Sequence, residues 1–524
     1  MRAFRRPLSL IAAMGAAVLL LGACSVQAPA EPSVSTPPAS TNSPSAGASA
    51  SASALPEPGS VPEGLEKFYA QDLKWSSCGG VLQCTELTVP MDYSKPEGPS
   101  ISISMNKRPA KNAQGSLLLN PGGPGASGLE LVKDAASVIL GRNLQRNFDI
   151  IGFDPRGVGE STPVKCETAA EQDASRQVEV DTSTDAGLAE ARKLSAEFAA
   201  QCAERTGDSL GFVDTQSAAR DMDVMRAVLG DRQLNYLGYS YGTSLGAHYA
   251  QLFPQNVGRL VLDGAMDPSL NDDEITLGQA VGFEGEVRAF IQDCLDSGDC
   301  PFTGSLEEGL SQLHELLAQV EKSPLVASDE RTVPIIDFVN GFILPLYDDA
   351  MWPMLSSALS EVIAGDVDTI QFFSDASAGR QENGTYKGNT PAAFVSINCL
   401  DYPMDADLGV MRANAAELLE ASPTLGKYLA YGAVTCENWK FPPTGKPGII
   451  TAAGAAPIVV IGTTGDPATP YEWSVALAEQ LESASLVTFE GHGHTAYGRS
   501  NDCISKAVES YFIDGTVPKD GLTC

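Results

Sequence analysis

Five residues, Gly238-Tyr239-Ser240-Tyr241-Gly242, constrain this chain more than any others. Leu234-Asn235-Tyr236-Leu237 before them reads as a short strand, and Thr243 to Ala250 after them reads as a helix. A serine on a sharp strand-to-helix turn holds its hydroxyl clear of the backbone, and a glycine two positions away on each side removes the clash that turn would create. The helix N-terminus beneath it favours negative charge. In a chain with 50 glycines the pattern alone is weak. With a strand in front and a helix behind, it marks Ser240 as a nucleophile.

The remaining sequence supplies a sheet for that turn to stand on. Ser116 to Leu119, Phe148 to Phe153, Arg259 to Gly264, Ile458 to Ile461 and Leu486 to Phe489 are short apolar runs without polar alternation. Such runs suit strands covered on both faces. Helical stretches between them imply a mostly parallel α/β sheet. Residues 84–90 and 101–108 read as an antiparallel opening hairpin. From about 271 to 450 the rhythm stops and helical patterns dominate, as in Ser311 to Val320 and Leu355 to Ile363. We expect a core of residues 64–270 and 451–524, interrupted by a large, mainly helical cap at 271–450.

A serine hydroxyl needs a base, and the base needs an orienting acid. The chain has four histidines. His248 lies in the helix after Ser240 and is expected to point away, and His314 lies in a cap helix. His492 and His494 share a glycine-rich loop after the last long strand, where a side chain can reach back to the serine. His494 is the expected base and His492 a neighbouring loop residue. Asp466, in Thr464-Gly465-Asp466-Pro467 at the end of the preceding strand, is the expected acid. The chain order serine, acid, histidine is that of the α/β-hydrolase fold. Two backbone N–H groups must receive the developing oxyanion. Tyr241 supplies one, and Asn120-Pro121-Gly122-Gly123-Pro124-Gly125 the other. Pro124 has no N–H. Gly123 is the first choice and Gly122 the second.

Four motifs together carry a resemblance: Asn120 to Gly125, Asp154-Pro155-Arg156-Gly157-Val158-Gly159, Gly238 to Thr243, and Gly465-Asp466-Pro467-Ala468-Thr469-Pro470. Over roughly residues 70–524 the chain resembles the exported tripeptidyl aminopeptidases of actinobacteria, relatives of the proline iminopeptidases. The resemblance implies an α/β-hydrolase fold and a serine exopeptidase that releases short peptides, often tripeptides, from a free N-terminus without a cofactor. An esterase or lipase on the same serine, acid and base is the alternative. Asn120-Pro121 stands where proline iminopeptidases commonly have a histidine, which separates the chain from that branch. An N-terminal exopeptidase needs a carboxylate for the substrate ammonium. Asp348, Asp349 and Asp401 stand in the cap segment, where a solvated surface acid is the commoner reading.

The N-terminus adds an address. Arg2, Arg5 and Arg6 precede the apolar run Leu8 to Leu21, which is too short for a comfortable span. Leu21-Gly22-Ala23-Cys24 resembles a lipoprotein cleavage site. We expect residues 1–23 to be an export signal, Cys24 to carry lipid, and 24–63 to be a Ser/Ala/Pro-rich tether. The protein is then held to the outer face of the cell membrane by lipid alone. The formal charge of −32, or −35 once the three signal arginines are gone, excludes nucleic acid and electrostatic binding to anionic lipid. Setting Cys24 aside leaves ten of 11 cysteines. In an exported chain an even number suggests disulfides, and none of the histidines falls at zinc-site spacing. The simplest scheme joins neighbours: Cys78–Cys84, Cys166–Cys202, Cys294–Cys300, Cys399–Cys436 and Cys503–Cys524.

Overall fold

The apolar runs are strands because each divides its side chains between two buried layers. In a computed structural model that describes residues 59–524, Leu117 and Leu119 point into one core while Leu118 points into the other. Ile150 and Ile151, Leu237 and Tyr236, Val261 and Leu260, and Val459 and Val460 repeat the division. A strand with both faces covered has no polar position to spare, which is why the alternation is missing from the sequence. The export signal, Cys24 and most of the Ser/Ala/Pro-rich stretch lie outside the described residues.

Twelve strands are β1 (Ser76–Gly79), β2 (Leu82–Pro90), β3 (Ser100–Arg108), β4 (Ser116–Asn120), β5 (Asp149–Phe153), β6 (Leu234–Tyr239), β7 (Val257–Asp263), β8 (Leu325–Val326), β9 (Thr332–Val333), β10 (Ile458–Gly465), β11 (Ala484–His492) and β12 (Leu522–Thr523). Ten form one sheet in the order β1-β2-β3-β5-β4-β6-β7-β10-β11-β12. Pairing is antiparallel from β1 to β5 and parallel from β5 to β12. The helices Thr215–Val228 and Tyr241–Leu252 cover one face through Met222, Leu245 and Tyr249. The helix Asp502–Asp514 covers the other through Ile504, Val508 and Phe512. This is the α/β-hydrolase fold, and it puts the C-terminal ends of β4, β6, β7 and β10 side by side, where open α/β sheets hold their ligands.

The stretch 271–450 attaches to this body in two ways. Residues 283–373 build a separate core from Phe283, Phe290, Leu313, Phe338, Phe342, Leu355 and Phe373, and the small hairpin β8–β9 lies within it. The helix Thr390–Asp401 instead packs Ala393, Ile397 and Leu400 into the core of the sheet. Both segments are helical, so helix content alone does not separate the two.

All five neighbouring cysteine pairs are disulfide-bonded: Cys78–Cys84, Cys166–Cys202, Cys294–Cys300, Cys399–Cys436 and Cys503–Cys524. Cys399–Cys436 holds the far end of the Thr390–Asp401 helix, and Cys503–Cys524 ties the last helix to the residue after β12. By chain entropy, closing a loop of 36 or 37 residues is worth roughly 4 kcal/mol.

Candidate active site

Ser240 sits where β6 turns into the helix Tyr241–Leu252, with φ 55° and ψ −126°. A non-glycine residue there stores roughly 1–3 kcal/mol of backbone strain, so its neighbours must hold it. The Ser240 N–H donates to the Asp263 carbonyl at 2.9 Å, and the Thr243 hydroxyl donates to the Ser240 carbonyl at 2.6 Å. Both flanking glycines of the pentapeptide are required sterically. A Cβ on Gly238 would lie 2.4 Å from the Gly242 carbonyl oxygen, and one on Gly242 would lie 2.8 Å from Asn120 Oδ1.

His494 comes from the loop after β11 and Asp466 from the loop after β10. His494 Nδ1 lies 2.8 Å and 3.0 Å from the two carboxylate oxygens of Asp466. That contact leaves Nε2 as the ring nitrogen the acid does not engage. Asp466 is buried and also accepts the N–H groups of Ala468, Thr469 and Thr495 and the Thr469 hydroxyl. So many donors fix the carboxylate in place. The imidazole lies against the end of β7: a side chain on Gly264, next to the residue whose carbonyl holds the Ser240 N–H, would come within 3.3 Å of His494 Cε1.

The glycine loop after β4 lies against the same turn. A Cβ on Gly122 would approach Ser240 Cβ to 2.9 Å and the Tyr241 nitrogen to 3.2 Å. The Gly122 N–H is engaged by Asn120 Oδ1 at 2.9 Å. Gly123 and Tyr241 have N–H groups with no acceptor among the described residues. These are the two donors the sequence favoured for the oxyanion. The insertion helix Thr390–Asp401 reaches Gly125 of the glycine loop and, through Thr215, the Tyr241 side chain. At its start the Thr390 hydroxyl donates to the Gly125 carbonyl at 3.0 Å, and Asn389 bonds Gly159, Gly157 and Val164. At its end Asp401 accepts the Thr215 N–H at 2.9 Å, and the Thr215 hydroxyl contacts both Asp401 and the Tyr241 phenol.

The Asp154-Pro155-Arg156-Gly157 motif is a brace beneath this loop. Arg156 is fully buried, forks onto Asp221 at 2.7 Å through both Nε and Nη2, and bonds the carbonyls of Pro90, Met91 and Phe212. Asp154 accepts the Ser127 hydroxyl at 2.6 Å and the Glu160 N–H at 2.9 Å.

The other histidines are elsewhere or differently employed. His248 Nδ1 bonds the Ser244 carbonyl at 2.9 Å, and burial pushes the ring's pKa down. His314 bonds Thr424. His492 does not meet Asp466. Its Nδ1 lies 3.0 Å from Glu286 Oε2 on the helix Asp272–Ser297, and that hydrogen bond raises the His492 pKa.

The carboxylates considered for a substrate ammonium are all engaged. Asp348 and Asp349 pair with Arg499 at 3.4 and 3.1 Å. Asp401 turns inward to Thr215, and burial pushes its carboxyl up to about 7. Glu286, which sequence reasoning missed, differs. It is 2% exposed, and Oε1 has no hydrogen-bond partner. The Trp352 indole N–H, whose ring packs on His492, is likewise unpartnered. Nothing in Gly285-Glu286-Val287 signals this, since the contact spans 206 residues.

Residues 422–524 match the family described as TAP-like protein. The chain is 36% identical to serine protease Hip1 of Mycobacterium tuberculosis over 87% of its own length and 91% of that protein. It is 36% identical to carboxylesterase B of the same species, over 90% and 93% of the two chains. It is 31% identical to a tripeptidyl aminopeptidase of Streptomyces coelicolor, over 86% of each.

Proposed function

Because the chain belongs to the tripeptidyl aminopeptidase family of α/β-hydrolases, we propose that it is an exported serine exopeptidase that releases tripeptides from free N-termini. The observation that carries this reading is the Asp466–His494 pair set beside the strained Ser240 turn, with two free N–H groups at Gly123 and Tyr241. Ser240 Oγ attacks the scissile carbonyl and His494 Nε2 takes its proton. The tetrahedral oxyanion falls to Gly123 and Tyr241. His494 then protonates the departing amine, leaving an acyl group on Ser240. Water, activated by the same imidazole, releases the peptide and restores the serine. Asp466 holds the imidazole in one tautomer and stabilises its cation without being protonated itself.

Glu286 supports the exopeptidase reading. A buried carboxylate oxygen without a donor is costly, and a substrate ammonium would satisfy it. Acetylating the N-terminus of a tripeptide amide is expected to lower kcat/KM by about 30- to 1000-fold, the loss of a partly desolvated charge pair worth about 2–4 kcal/mol. Glu286→Gln is expected to erase most of the difference between free and blocked substrates. Equal turnover of free and acetylated peptides by the wild type would sink the aminopeptidase reading.

The similarity to carboxylesterase B supports a second reading, ester hydrolysis by the same residues. Rapid cleavage of p-nitrophenyl esters, with acetylated and free peptides both poor, would favour it.

For the anchor we propose that Cys24 is lipidated and tethers the catalytic body to the outer face of the membrane. Supporting this are the three arginines, the apolar run and the small residues before Cys24. Cys24→Ser is expected to move the protein from the detergent phase to the aqueous phase. Recovery of wild type in the aqueous phase with an N-terminus beyond Cys24 would refute it.

A further inference from the structure

Asp263 is a buried carboxylate that the reaction does not use. It ends β7, between the strand that carries Ser240 and the strand that carries Asp466, paired with Tyr239 on one side and Ile461 on the other. Its side chain is 0% exposed and forms no ion pair among the described residues. Its carbonyl accepts the Ser240 N–H at 2.9 Å. Its carboxylate accepts the Ala496 N–H at 2.9 and 3.2 Å and the Tyr497 N–H at 2.7 Å. Main chain and side chain of one residue thus grip the nucleophile turn and the loop that carries His494.

Both gripped segments need holding. Ser240 has φ 55° and Thr495, immediately after His494, has φ 66°; neither is glycine. Both strained turns are bonded to Asp263, and each relaxes unless its surroundings fix it. We propose that Asp263 is a positioning residue that sets the distance between Ser240 and His494, and that its ionised form is the one that holds it. The inference rests on the reading of Ser240, Asp466 and His494 as the reacting set.

A carboxylate suits the task because it offers two acceptor oxygens to two N–H groups. Once protonated, one of its oxygens becomes a donor facing N–H donors. Burial pushes the Asp263 carboxyl up to about 7. The titratable groups facing it are His494 and Asp466 from the neighbouring loops and Tyr239 from β6. The Tyr497 phenol, on the same loop, contacts the Gly141 N–H instead. As pH falls through the neutral range, protonation of Asp263 loosens its hold on the His494 loop.

The test uses the full chain and a peptide amide substrate. Asp263→Asn keeps the shape and loses one acceptor. It is expected to lower kcat by about 10²-fold, the cost of a small misplacement of reacting groups, with KM changed by no more than about twofold. Fluorophosphonate labelling of Ser240 should slow in parallel. On the acid side, the ratio of wild-type to variant kcat should close toward one as pH falls, because only the wild type has the Asp263 carboxylate to protonate. A folded variant with wild-type kcat overturns the proposal, as does a variant whose loss lies in KM. If the variant does not fold, amide exchange at Ala496 and Tyr497 of the wild type that shows no loss of protection on acidification through the neutral range overturns it. Failure of the underlying reading would look different, because the wild type would then not label at Ser240 at all.

Discussion

Replacing Ser240 by alanine is expected to lower kcat by about 10⁶-fold while leaving the fold intact, since the residues of such a set act as one unit. The hydroxyl is the atom that becomes acylated, so no neighbour can substitute for it. The backbone strain at φ 55° is the same for alanine as for serine, and the bonds that hold it come from Asp263 and Thr243. Melting temperature and circular dichroism should therefore match the wild type. A fluorophosphonate should label the wild type at Ser240 and leave the variant unlabelled. Residual turnover of a few per cent, or labelling at another serine, would remove Ser240 from the reaction.

The paired histidine variants should separate two side chains that the sequence sets two positions apart. His494→Ala is expected to be as damaging as Ser240→Ala, about 10⁶-fold in kcat. His494 alone meets Asp466, at 2.8 Å, and only a base oriented in that way can take the serine proton. His492→Ala should cost about tenfold or less in kcat, because its partner is Glu286 and the serine does not depend on it. Its effect should fall on KM for peptides with a free N-terminus. A reversal of the two kcat values would transfer the base to His492.

The order of the reacting residues was legible because each depends on a local pattern. Ser240 needs a strand, glycines and a helix within about a dozen residues, and Asp466 needs only a strand end followed by a turn. The strands were legible because two-sided burial leaves an unbroken apolar run. Their lengths were less so: β10 runs to Gly465 and β11 to His492, beyond their apolar cores, because pairing continues after the packing stops. What could not be read were the partners of isolated acids. Asp263, Glu286 and Asp401 all look like ordinary polar residues at strand or helix positions. Asp401 reads as a solvated surface acid, yet its partner Thr215 lies 186 residues away and draws it inward. Such contacts are set by how elements pack across the sheet, and no spacing in the chain encodes them.

The stitching of the helix Thr390–Asp401 to Gly125 of the glycine loop and to the Tyr241 side chain bears on how this architecture can diverge. In a fold whose cap is a removable cassette, new specificity arises by exchanging the cap while the catalytic body stays unchanged. Here Thr390 holds the Gly125 loop, Asp401 reaches Tyr241 through Thr215, and the Tyr347 carbonyl takes the His494 N–H at 2.8 Å. A chimera that imported residues 271–450 from a relative would import part of its catalytic alignment as well. Lineages built on this plan must alter specificity by point changes within a cap they cannot trade.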